Sequence, residues 1–167
     1  TAFGKLPATT GFSKTQHPFN LLYLTWLLHD GYNHSDKDLP LNIRGETIKS
    51  LYKERLDYQL DKYQHPLQSR WQYELIMAEQ FLERREVHIE FVAWFLPKLR
   101  NLKKVPSSYL QKWELFQNWL DDPELNIEIQ CLVKFGQKFY RPFTEFLVDY
   151  DPQPRIVESD NSLKCLP

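Results

Sequence analysis

Residues 27–38 read LLHDGYNHSDKD and place two histidines and three aspartates within ten positions, directly after a run of large apolar side chains. Imidazole and carboxylate groups at such density are the ligand types of a divalent metal centre. Such a centre activates water when its donors converge on one point and leave a coordination position open. The same residues are also those of a helix end. His29 in a last helical turn meets the negative end of the helix dipole. Gly31 supplies a left-handed stop, and Asn33 to Asp38 form a turn whose side chains bond their own backbone. The second account needs fewer coincidences, so no metal and no cofactor is expected.

Three further patterns carry charge or rings. Glu79, Glu83, Glu86 and Glu90 follow spacings of four, three and four and share one helix face. No Glu-x-x-His step accompanies them, so a di-iron bundle is not indicated. The row is expected to be solvated or matched by Lys49, Lys53, Arg55 and Lys62, with a basic partner protein as the alternative. Lys98, Arg100, Lys103 and Lys104, with Arg84, form a basic patch that would suit phosphate or an acidic protein. A helix C-terminus carries the same charges for its own dipole. Trp113, Trp119, Phe139 and Tyr140 fall on more than one helix face, and rings on an outer face mark protein contact sites. His88 lies on an apolar stripe and is expected to be a hydrogen-bonded core residue. Arg85, in a hydrophobic seam, requires an acceptor.

The hexapeptide LLHDGY resembles the His-Asp step of the HD-domain phosphohydrolases. That resemblance covers about six of the 167 residues. It implies a phosphoesterase with one or two divalent metals, His29 and Asp30 at the metal, and His34, Asp36 and Asp38 as further ligands. The family takes another histidine from an earlier helix, and His17 is the only earlier one here.

The elements that would position these groups are helices. Pro18 opens, and Gly31 closes, a segment that is apolar almost all round and therefore buried on most sides. Ile48, Tyr52, Leu56, Leu60 and Tyr63 predict a second helix over 45–63. In the third, Leu75, Ala78, Leu82, Arg85, Ile89, Val92, Leu96 and Leu99 form a heptad seam. It is flanked by Met77, Phe81, His88, Phe91 and Phe95, and Pro97 is expected to kink or end the helix. A fourth helix is predicted over 106–120, with Ser108 and Gln111 as a capping box. The fifth starts at Asp122 and Pro123 and runs seven turns to Tyr150, with Gly136 in its seam and a bend near 138–142. No strand or hairpin signal is present.

The expected fold is therefore all-α, a single-domain bundle of about five helices over 18–150. Residues 1–17 are expected to be an extended N-terminal arm and 151–167 an extended C-terminal tail. A net charge of −1 provides no field for nucleic acid or anionic membrane, and no apolar run reaches the ~20 residues of a membrane span. Cys131 and Cys165 are expected to be free thiols in an intracellular soluble protein. Aromatic residues make up 15% of the chain, which suits both cores and interfaces. The expected function is a non-enzymatic protein-interaction module, a subunit or adaptor whose partner is another protein. The HD-like phosphohydrolase is the alternative, followed by a nucleic-acid-binding module using the basic patch.

Overall fold

The computed structural model describes residues 17–31, 39–66 and 71–149. The expected arms at 1–16 and 150–167, and His34, Asp36, Asp38 and Cys165, lie outside the described residues. Among the described residues every regular element is helical: α1 (Pro18–Trp26), a π-helical turn (Leu27–Gly31), a 3-10 turn (Leu41–Ile43), α2 (Gly45–Leu56), α3 (Trp71–Asn101), α4 (Ser107–Leu120), α5 (Pro123–Phe135), a second π-helical turn (Gly136–Tyr140) and α6 (Arg141–Asp149). The chain is all-α, and no described helix is long and apolar enough to cross a membrane. Contacts gather into two compact units that divide between Lys134 and Phe135.

In the first unit α1 is central. It touches α3 and α4, and the π turn that follows it touches α2. Its apolar circumference is accounted for, since Pro18, Phe19, Leu21, Leu22 and Leu24 are all buried. His17 caps it, with Nδ1 accepting the Phe19 N–H at 3.2 Å, and Pro18 occupies the first turn, where its missing donor costs nothing. Gly31 is needed for a reason other than the one expected, because no described glycine has a positive φ. A Cβ there would lie 2.9 Å from Leu27 and 3.1 Å from Trp26, so glycine permits the close approach of those side chains.

The second helix ends at Leu56, seven residues short of the expected boundary, because Asp57 turns left-handed at φ 51°. Residues 57–66 continue without regular structure but still bury Leu60 and Tyr63. Three side chains staple this segment down. Asp30 accepts the Tyr63 N–H, Gln80 accepts the Gln64 N–H, and Arg84 donates to the Asp61 carbonyl. Along α3 both expected stripes are buried, Leu75, Ala78, Val92, Leu96 and Leu99 of the seam and Met77, Phe81, His88, Phe91 and Phe95 of its flank, with Glu74 and Arg84 beside them. Leu82, Arg85 and Ile89 are only half-buried. Pro97 lies inside α3 without ending it; so close to the C-terminus the proline removes one backbone bond from an end that is already poorly bonded. The expected capping box is absent, for α4 begins at Ser107 after Pro106 with no side-chain cap. Asp122 does cap α5, its Oδ1 accepting the Glu124 and Leu125 N–H groups.

The second unit is described over 135–149. Its π turn places the Arg141 N–H on the Gly136 carbonyl, and α6 follows. The expected bend near 138–142 is thus a wide turn of one extra residue.

Candidate functional site

His29 and Asp30 are adjacent in sequence and face different surroundings. The π turn carries the His29 ring inward, where it is completely enclosed. Its Nδ1 lies 2.6 Å from the Thr25 carbonyl and its Nε2 lies 2.9 Å from the Tyr52 hydroxyl. That hydroxyl lies 2.7 Å from His88 Nδ1, and His88 Nε2 is bonded in turn to the Tyr63 hydroxyl.

A carbonyl only accepts, which fixes the direction of every bond in this chain. His29 Nδ1–H donates to Thr25, so Nε2 accepts the Tyr52 hydroxyl proton. The Tyr52 oxygen accepts His88 Nδ1–H, so His88 Nε2 accepts the proton of Tyr63. The assignment requires both imidazoles to be neutral. Burial makes them so: it lowers His29 to about 4 and holds His88 well below the usual histidine range, where the neighbouring His29 and Arg84 push the same way. Burial also raises both tyrosines, so neither phenol is a usable acid near neutrality. Aromatic faces surround the relay. Phe116 and Trp113 meet the His29 ring edge-on, and Phe91 stacks on Tyr52 at 3.7 Å.

Asp30 points the other way. Oδ1 pairs with Lys49 Nζ at 2.5 Å and Oδ2 accepts the Tyr63 N–H at 2.8 Å. It ties the end of the α1 segment to α2 and to the extended segment. It also forms one wall of a cleft of about 580 Å³ lined by Trp26, Lys62, Tyr63, Gln64, His65 and Gln80. His65 packs edge-on against Trp26 with ring centres 4.0 Å apart. The cleft has polar rims, but its one carboxylate is already neutralised by Lys49.

No known protein family, curated protein or solved structure matches the chain. Function must therefore be read from the geometry alone. In this arrangement His29 has no lone pair left for a metal, since one nitrogen donates and the other accepts. Among the described residues no group of three or more His, Cys, Asp or Glu could hold an ion.

The other sequence candidates separate in space. Trp113 and Trp119 are buried, so neither presents a contact surface. Trp113 belongs to the wall of the relay. Arg84 leaves the basic patch: it is buried, lies over the Tyr63 ring at 4.7 Å and donates to Asp61. Lys98 lies over Trp94 at 4.1 Å and Arg100 pairs with Glu114 at 3.0 Å, while Lys103 and Lys104 are exposed. The cluster is thus partly used by α3 and α4 themselves. Glu83, Glu86 and Glu90 are exposed and Glu79 is half-buried, with Glu86 paired to Arg85. Lys49 and Lys53 pair with Asp30 and Asp57, while Arg55 lies over Trp94, one turn beyond Glu90 on α3. Arg85 finds its acceptor in the Leu120 carbonyl at 2.6 Å. Cys131 is an exposed free thiol.

Phe139 remains at the surface, 63% exposed, and it has company. Phe135, Phe143, Phe146 and Leu147 are between 48% and 64% exposed, while Tyr140 is half-buried. Their alignment is a product of the π turn. Steps of four residues overshoot a 3.6-residue turn by ~40° each. Phe135, Phe139 and Phe143 would therefore drift around a regular helix. A turn closed by i→i+5 bonds takes more residues per turn and absorbs that drift. Phe135 and Phe139 stack with centroids 5.6 Å apart. The three–four spacing puts Phe139, Phe143 and Phe146 in one seam with Leu125, Ile129, Leu132 and Gly136, but only the latter four are buried, and the three rings lie at the surface. Sequence reasoning missed Tyr52, Tyr63 and Glu74. The spacing of 74, 77, 81, 84, 88, 91 and 95 did hold the signal that Glu74 and Arg84 share the stripe of His88.

Proposed function

We propose that the protein is a non-enzymatic interaction module, a subunit or adaptor of a larger assembly, which engages another protein through the apolar row on residues 135–147. The row of exposed rings carries this reading. Isolated exposed apolar side chains are ordinary, but a contiguous strip of them on one short segment is a docking surface. An amphipathic helix presenting anchors three and four residues apart is a standard ligand for a groove. The buried relay supports the same reading from the other side, since its donors and acceptors are matched to one another within the core.

Site-specific photocrosslinking tests it. Benzoylphenylalanine in place of Phe139 is expected to give a discrete crosslinked protein, whereas the same group at exposed Lys104 is not. Loss of the product on Phe143→Asp would tie it to the row. Absence of any crosslink from position 139 would overturn the reading.

A further inference from the structure

The strip reads almost the same in both directions. Reversing the segment about Arg141 places Phe135 on Leu147 and Phe139 on Phe143, while Phe146 falls on Gly136, where the absence of a side chain leaves room for its ring. An antiparallel pair of helices related by a two-fold axis brings together residues paired by this reversal, because an isologous interface must be complementary to itself. Residues in the strip therefore already satisfy the condition for pairing with their own copy. The reversal sets Lys138 on Thr144 and Glu145 on Gln137, and Arg141, which maps onto its own copy, lies about half a turn from Phe139 and Phe143 on the side away from the rings, so no charge meets an apolar partner. The amount of surface also fits. At ~200 Å² per large side chain, the five exposed residues present roughly 500–600 Å². Two copies face to face would remove about 1,000 Å², the lower bound for a specific association.

We infer that the partner of this surface is a second copy of the same chain, joined in an antiparallel two-fold pair centred near Arg141 through Phe135, Phe139, Phe143, Phe146 and Leu147. The inference rests on the interaction reading above and names its partner. An interface of this size gives a concentration-dependent dimer, with the apolar rings as its anchors.

Sedimentation equilibrium of the full chain, from low to high micromolar, is the test. A monomer–dimer equilibrium is expected, and Phe139→Asp and Phe143→Asp should each shift it at least tenfold toward monomer with unchanged helical circular dichroism. In a Cys131→Ser, Cys165→Ser background, chains carrying Phe139→Cys and chains carrying Phe143→Cys should form the mixed disulfide faster than either forms its own. A monomer at every concentration would overturn the inference, as would a dimer indifferent to both aspartates or faster like-with-like disulfides. A monomer that still crosslinks a different protein from position 139 would overturn self-pairing and leave the interaction reading standing. A monomer whose row binds phosphatidylserine vesicles would overturn both.

Discussion

Lowering the pH protonates the histidines of the unfolded chain before those of the folded one. His29 titrates near 6.5 when unfolded and at about 4 in the fold, where burial outweighs the Thr25 bond and the nearby Asp30, and Lys49 and Arg84 act with burial. Between those values the unfolded state holds a proton that the native state refuses. Stability is therefore complete above about pH 6.5, declines as pH falls, and has lost its full increment near pH 4. The gap corresponds to on the order of 3 kcal/mol for His29, and His88 adds to it in the same sense. Small domains have only about 5–15 kcal/mol in total. Glu74 works against this trend. Burial raises it to about 7, so its contribution is present at low pH and lost as pH rises from the ordinary carboxyl range toward 7. The two overlap and flatten the wild-type profile. Glu74→Gln should remove the opposing slope and leave that of the histidines. Urea unfolding of this variant, followed by tryptophan fluorescence from pH about 7.5 to about 4.5, should show a fall of on the order of 3 kcal/mol, steeper than in the wild type. A flat profile in Glu74→Gln would refute the reasoning. So would nitrogen chemical shifts showing either ring protonated at Nε2 near pH 6.

Substitutions at four further positions have defined outcomes. Tyr52→Phe strands an acceptor on His29 and a donor on His88 and should cost about 2–4 kcal/mol. Tyr63→Phe strands the acceptor of His88 and removes the phenol oxygen beside Arg84, and should cost about 1–3 kcal/mol; wild-type stability of either variant in urea unfolding would contradict the bonds assigned here. Asp30→Asn keeps an acceptor for the Tyr63 N–H and should be milder, in thermal unfolding, than Asp30→Ala, which loses both that bond and the Lys49 pair. Asp57→Gly should raise stability by about 0.5–1 kcal/mol, because a left-handed residue without a Cβ is unstrained; a lower melting temperature would count against it.

Helix type, helix starts at Pro18 and Asp122, and most of the buried faces could be read from residue spacing. What failed did so for identifiable reasons. Leu60 and Tyr63 continue the period of Ile48, Tyr52 and Leu56, and spacing alone cannot tell one further helical turn from an extended segment that buries every third residue. The heptad seam of α3 is buried at Leu75, Ala78, Val92, Leu96 and Leu99 but only half-buried in its middle, at Leu82, Arg85 and Ile89. A helix that touches α1, α2 and α4 has no single seam, and its deepest line follows the neighbours. The tryptophans of α4 were assigned to a surface on their position about the helix, although neighbours on two sides bury more than one face. Adjacency in sequence suggests that His29 and Asp30 share one environment, the premise of the metal-site alternative. The π turn separates them, and no local sequence signal announced that turn or the one at 136–140.

The relay also explains how an aromatic core can hold one register. Phenyl and indole rings pack acceptably in many offsets, so a core built from them stabilises collapse more than it selects an arrangement. The hydrogen-bonded chain is more demanding. Thr25 and His29 come from the α1 segment, Tyr52 from α2, Tyr63 from the extended segment and His88 from α3. Sliding any one of these by a helical turn leaves at least two buried polar groups without partners, each costing about 1–3 kcal/mol. The rings thus supply most of the stabilisation, and the relay penalises the wrong registers. A core constrained in this way gains nothing from opening to solvent, which directs the search for function to the exposed strip on 135–147.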